Sequence, residues 1–190
     1  PEGLSFASAA LLEPLSVALH VLKTTPVSVG SPVAVFGAGP ISLLTMTAAR
    51  ASGAHPIVIT GIDQDRLSFA KNFEPNSLTY QVDPKDTPGK TASHIRDLFE
   101  REKRQVGAPR TEYDMPQVVL KCTGFETSIA IAAYTVRRGG RINVVGVSSK
   151  PLVNTIPFMH ISVAEIQLRF INRYYDTWPA AIRAIEGGLL

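Results

Sequence analysis

Cysteine is almost missing: Cys122 stands alone among 190 residues. That excludes an intrachain disulfide and any all-cysteine zinc site within this chain, and it fits a reducing, intracellular compartment. Long apolar runs are missing too. No stretch reaches the ~18 consecutive apolar residues of a membrane span, and 45% hydrophobic with 18% charged residues is the balance of a globular, soluble fold. Pro1-Glu2-Gly3 has neither an initiator Met nor a basic signal-like region, so the chain is expected to be a piece of a longer polypeptide. The four histidines, His20, His55, His94 and His160, lack metal-ligand spacing, and no metal is assigned to them. One-sided charge is lacking as well. The net +3 is 19 basic against 16 acidic residues, and the densest basic stretch, 101–110, is interleaved with Glu100 and Glu102. It reads as a solvated helix face, so neither nucleic acid nor a membrane is expected as a partner.

What is present is Pro32-Val33-Ala34-Val35-Phe36-Gly37-Ala38-Gly39-Pro40-Ile41-Ser42. An apolar, β-branched run leads directly into Gly-x-Gly and then into a helical pattern, the layout of a dinucleotide-binding turn. Gly37 would allow the tight turn out of the strand. Gly39, lacking a Cβ, would let the backbone approach a pyrophosphate, toward which a helix starting near Pro40 directs its first N–H groups.

Upstream, residues 6–22 are rich in Ala and Leu with apolar positions three and four apart. Pro14 interrupts them, which predicts a helix bent or split there. Beyond it, apolar runs at 33–36, 57–60, 78–82, 117–121, 141–147 and 166–170 alternate with helical patterns at 41–52, 64–72, 91–103, 126–136 and 177–186. Strands this short and continuously apolar belong to a parallel sheet covered by helices on both faces. The expected fold is α/β: a doubly wound, six-stranded parallel sheet of Rossmann type in the order 3-2-1-4-5-6, one domain over 1–190 with a helical lead-in at about 5–24. A cofactor would lie across the switch point between the first and fourth strands. There is no internal repeat, and 103–112, with Gly107 and Pro109, reads as the longest loop.

Four further segments carry a family resemblance: Leu12-Glu13-Pro14-Leu15-Ser16-Val17-Ala18, Lys121-Cys122-Thr123-Gly124, Gly139-Gly140-Arg141 with Val145-Gly146-Val147, and Arg173-Tyr174-Tyr175-Asp176-Thr177-Trp178-Pro179. With the glycine turn, in this order and spacing, the chain resembles the coenzyme-binding domain of the medium-chain zinc-dependent polyol dehydrogenases, the sorbitol, xylitol and L-arabinitol dehydrogenase group. The resemblance implies hydride transfer between a sugar alcohol or ketose and NAD, with catalytic zinc held by a GroES-like catalytic domain outside this chain. It also implies a cytoplasmic homodimer or homotetramer, and a fragment that does not turn over by itself. Residue by residue, Gly37, Gly39, Pro40 and Ile41 would contact the pyrophosphate and its ribose. Val145, Gly146 and Val147, at the end of the fifth strand, would bind the nicotinamide carboxamide, with Asn172 and Arg173 also at the cofactor. Glu13 would serve catalysis near the zinc-bound water and substrate, and Arg173 with Tyr174 would bind polyol hydroxyls. Without the resemblance, Glu13 is a surface residue, Arg173 a strand-end cation and Tyr174 a core aromatic. Cys122 reads as packing rather than a nucleophile, since no base stands near it in sequence.

Two positions depart from that pattern. Gly61 stands where members using NAD carry the acid that accepts both ribose hydroxyls. Asp63 could reach the ribose instead and preserve NAD binding, or Arg66 could pair with the 2′-phosphate of NADP; both remain open. Ser42 replaces the third glycine and is small enough for close helix–strand packing. The competing reading is a non-catalytic nucleotide-binding module or sensor, which would have no need of Glu13, Arg173 and Tyr174.

Overall fold

The computed structural model describes residues 4–102, 111–150 and 153–189. Six strands, β1 (Val33–Phe36), β2 (Ile57–Gly61), β3 (Leu78–Gln81), β4 (Val118–Lys121), β5 (Arg141–Val144) and β6 (Gln167–Phe170), form one sheet ordered β3-β2-β1-β4-β5-β6. Every neighbouring pair is parallel, as the alternation of runs and helices predicts. Phe36, the last residue of β1, is in register with Thr60 on one side and Lys121 on the other. The chain therefore leaves the sheet at one level along the crossing. The helices are α1 (Phe6–Ala10), α2 (Leu12–Thr24), α3 (Pro40–Ala51), α4 (Gln64–Phe73), α5 (Pro88–Glu102), α6 (Thr127–Thr135), α7 (Phe158–Val163) and α8 (Trp178–Glu186).

The period of two along each strand divides the core. Val33, Val35, Ile57, Ile59, Val118 and Leu120 face Val21 of α2, Met46 and Ala49 of α3, and Leu67 and Ala70 of α4. Their neighbours Ala34, Phe36, Val58, Val119 and Ile142 face Ile95 and Phe99 of α5 and Ile129 and Ala133 of α6. Both faces are dry, which is why these strands read as unbroken apolar runs. Outside this sandwich Leu12, Leu15 and Ala18 of α2 pack with Ala48 of α3 and Ala181 of α8.

Several boundaries differ from the expectation. The helical break falls at Leu11, which separates α1 from α2, and not at Pro14. Pro14 occupies the first turn of α2, where a helix has no internal acceptor for an N–H, so proline costs little there. The fifth strand stops at Val144, so Val145, Gly146 and Val147 form the loop beyond it rather than its end. The cause is a contact with the neighbouring strand: the N–H groups of Val145 and Gly146 both donate to Lys121 O (2.9 and 3.0 Å), turning the chain across the end of β4. A Cβ on Gly146 would overlap the Thr123 carbonyl. The sequence reading missed α7, a six-residue helix without a buried residue and too short to display a helical period. Of the long loop, and of the basic stretch, 103–110 lies outside the described residues; Glu112–Asp114 forms a 3-10 turn.

Candidate functional site

A cleft of ≈ 260 Å³ opens at the carboxyl ends of β1, β2, β3 and β4, at the switch point of the strand order. Gly37 and Ala38 leave β1 on one side, and Gly61 to Asp63 leave β2 beside them. Gly37 has φ +111°, a value residues with a Cβ rarely adopt. Gly39 precedes α3 as its N-cap, Pro40 is the first helical residue, and a Cβ at Gly39 would meet nothing within 4 Å. The first turn of α3 thus presents unsatisfied N–H groups and the positive end of its dipole to open space.

The walls of the cleft are apolar and individually held. Ile62 is half exposed at 53%, and its carbonyl accepts from Gln81 Nε2 at 3.2 Å. Phe125 is exposed at 63%, with its N–H donating to Thr123 Oγ1 (3.3 Å) and its carbonyl accepting from the Ser128 hydroxyl. Val82 and Pro84 line the far side. Sequence reading gave neither Ile62 nor Phe125 a role in the site. The available signal was their place, one residue beyond β2 and four beyond β4, the two strands that pair with β1.

Asp63 is the N-cap of α4: its Oδ1 accepts from Asp65 N (2.9 Å) and Arg66 N (3.1 Å). Its Oδ2 lies 3.7 Å from Arg66 Nε. Asp63, offered in place of the missing acid at Gly61, and Arg66, offered as a partner for a 2′-phosphate, are therefore turned toward each other.

A second cavity, ≈ 210 Å³, lies at the ends of β4, β5 and β6, bordered by Lys121, Val145, Gly146, Val147, Phe170 and Ile171. Lys121 is 3% exposed, and its Nζ donates to Thr123 O at 2.7 Å. Burial pushes its amine below the ordinary lysine range, with the Cys122 thiol opposing. Cys122, one residue beyond β4, has its thiol pushed up to about 12 by burial, opposed by its side-chain hydrogen bonds with Thr45 and Ser42. It stays protonated and acts as packing, since the thiolate is the nucleophile.

Glu13 is exposed in the first turn of α2. Asn172, Arg173 and Tyr174 follow β6, with Arg173 exposed at φ 57° and Tyr174 half-buried, its ring 6.5 Å from that of Trp178. This loop reaches α2 through Tyr175, whose ring lies 4.8 Å from that of His20. His94 instead bonds the Tyr80 hydroxyl (3.0 Å) and His160 the Ala133 carbonyl (3.0 Å). Among the described residues no three His, Cys, Asp or Glu side chains converge where a metal ion could sit, and no helix is long and apolar enough to cross a membrane.

The family model described as zinc-binding dehydrogenase matches residues 40–187. The chain is 43% identical over 187 residues to the L-arabinitol 4-dehydrogenase of Aureobasidium melanogenum, covering 98% of this chain and 47% of that protein. It is 35% identical over 182 residues to human sorbitol dehydrogenase, covering 96% and 46%. The solved alcohol dehydrogenase TADH of Thermus sp. ATN1 shares the fold at a TM-score of 0.81 and 24% identity, covering all of this chain and 50% of that one. The chain spans about half the length of the curated relatives it matches.

Proposed function

The chain belongs to the zinc-binding dehydrogenase family, and from that membership we propose that it is the coenzyme-binding half of a polyol dehydrogenase. The reaction is hydride transfer between a sugar alcohol and a nicotinamide dinucleotide, which when bound supplies the hydride acceptor. The observation that carries the reading is the turn after β1: a glycine at φ +111° and an open Gly39 above a helix N-terminus, a cradle suited to a pyrophosphate.

In this reading Gly37, Gly39, Pro40 and Ile41 hold the pyrophosphate, and the adenine lies between Ile62 and Phe125 with its ribose against Gly61. The Val145–Gly146–Val147 loop, Asn172 and Arg173 border the nicotinamide. Arg173 and Tyr174 present a cation and a phenol to the polyol hydroxyls, and Glu13 is the carboxylate that handles a proton near the reacting oxygen. The described residues do not fit a zinc site, since no donor set converges; the reading assigns zinc to a catalytic domain outside this chain.

NAD is favoured over NADP. Arg66 is held by Asp63 at 3.7 Å, which offsets the cation that a 2′-phosphate would need. The reading includes a homodimer or homotetramer in the cytosol; the exposed Phe158, Met159 and Val163 of α7 and Phe170 of the edge strand β6 support the self-association, since exposed apolar surface marks interfaces.

The test is a fluorescence titration of this chain with NADH and NADPH. Saturable NADH binding, tighter than NADPH, is expected; binding of neither would overturn the reading. Joined to the remaining half of a polyol dehydrogenase relative, the chain should oxidise one or more of sorbitol, xylitol and L-arabinitol.

A further inference from the structure

The loop that follows β6 is gripped by α2. His20 and Lys23 stand three residues apart and so share one helix face. The His20 ring meets the Tyr175 ring edge-on, 4.8 Å between centroids with the planes at 64°. Lys23 Nζ lies 5.0 Å from the centre of the same ring and 3.8 Å from Asp176 Oδ2. Two contacts thus converge on one aromatic ring, and a third on its neighbour.

The gripped segment has an unusual backbone. Arg173 at φ 57° and Asp176 at φ 50° are both left-handed without being glycine, a conformation that persists only where the surroundings hold it. His20 is 6% exposed, and its Nδ1 has no hydrogen-bond partner among the described residues. Its aromatic contact is with Tyr175. Glu13 lies on the same helix, seven residues earlier, or about 10.5 Å along the axis.

We propose that the His20–Lys23 face of α2 is a positioning device: by holding Tyr175 and Asp176 it sets the backbone from which Arg173 and Tyr174 extend, and ties their place to that of Glu13. The proposal rests on the reading of Arg173 as a ligand contact. One helix then carries the carboxylate at its first turn and the clasp two turns later, so α2 acts as a ruler between the two parts of the polyol site.

The experiment uses the 190-residue chain with two readouts: the rate of tryptic cleavage after Arg173, followed by mass spectrometry, and the NADH dissociation constant. Lys23→Met removes the cation while leaving the sequence around the cleaved bond unaltered. It should raise the cleavage rate and weaken NADH binding roughly two- to fivefold, the loss expected from one cation–π contact. Tyr175→Ala should do at least as much, and Tyr175→Phe, which keeps the ring, should restore both readouts to the parent values. Unfolding midpoints of all variants separate loop release from global destabilisation. Unchanged cleavage in Lys23→Met and Tyr175→Ala would overturn the clasp. So would faster cleavage with unchanged NADH affinity, provided Arg173→Ala weakens NADH binding. If Arg173→Ala leaves NADH binding unaltered, the ligand reading of Arg173 fails, and the cleavage rates alone then decide whether α2 holds the loop.

Discussion

Ser42 Oγ stands where a side chain on Gly37 would have to grow: a Cβ there would come within 2.8 Å of it. Ser42, in the first turn of α3, is itself 2% exposed and faces Cys122 just beyond the end of β4. The first glycine of the turn and the residue in the third-glycine place are thus coupled, and the turn refuses a Cβ both by its φ and by contact.

Gly37→Ala is therefore expected to destabilise the chain by ~1 to 3 kcal/mol and to abolish measurable NADH binding. Adding Ser42→Gly should recover part of the stability, because it removes the contact but leaves the backbone conformation. Urea unfolding of the single and double variants checks this; equal stability of both would show that the contact is irrelevant.

Gly61→Asp restores a carboxylate at the end of β2. The backbone there is not left-handed, and the new Cβ would meet Ala38 Cβ at 3.2 Å and Leu67 Cδ2 at 3.5 Å, so a shift of a few tenths of an ångström is needed. NADH should bind about ten- to a hundredfold more tightly, the value of a charge-assisted hydrogen bond of ~1.5 to 3 kcal/mol. NADPH should bind more weakly, since a carboxylate would face its 2′-phosphate. If titrations show the same response for both cofactors, the adenosine lies elsewhere.

His20 has its pKa lowered, first by burial and then by the neighbouring Lys23. Its proton is bound more readily in the unfolded chain than in the folded one. Stability should accordingly fall as pH drops below the ordinary histidine value of ~6.5, and the loss should level off below the folded pKa. His20→Phe keeps an aromatic edge against Tyr175 and should flatten that part of the profile. An identical slope in the variant, measured by denaturant unfolding between pH 7 and about 5, would remove His20 as its source.

Lys121 is a buried amine with one hydrogen bond, to Thr123 O, and its pKa is lowered by burial. Below its folded pKa the full cost of burying the charge is present. As pH rises through the interval up to ~10.5 the folded amine loses its proton first and the cost fades. Lys121→Met should stabilise the chain at neutral pH by about 1 kcal/mol, with the gain shrinking as the solution becomes alkaline. A loss of stability at pH 7 would mean that the bond to Thr123 outweighs desolvation.

The chain by itself should show no polyol oxidation with or without added zinc, because the proposed metal ligands lie outside it. Zinc-dependent formation of NADH from sorbitol, xylitol or L-arabinitol by the purified chain would refute that division of labour.

Gly37, Gly39 and the apolar runs that form β1, β2, β4 and β5 were legible in the sequence because each depends on local chemistry, whereas the edge strands β3 and β6 carry no buried residue. A Gly-x-Gly between a β-branched run and a helical pattern reports a backbone requirement within a few residues, and a continuous apolar strand reports burial on both faces. The sheet order followed from the same alternation through general rules of crossover and twist. Ile62 and Phe125 as cleft walls, the pairing of Asp63 with Arg66, and the end of the fifth strand at Val144 were not legible. Each is decided by a neighbour: Thr123 and Ser128 aim Phe125, the cap of α4 occupies Asp63, and the Lys121 carbonyl draws Val145 and Gly146 out of the strand.

The sequence by itself determined the doubly wound sheet and the glycine turn, since periodicity and backbone permissiveness are properties of short segments. Only the tertiary structure decided that Ser42 fills the space under Gly37 and that His20 and Lys23 grip Tyr175 and Asp176. Those contacts join residues as far apart as 23 and 176, and a lysine reads the same in sequence whether it meets water or the face of a ring.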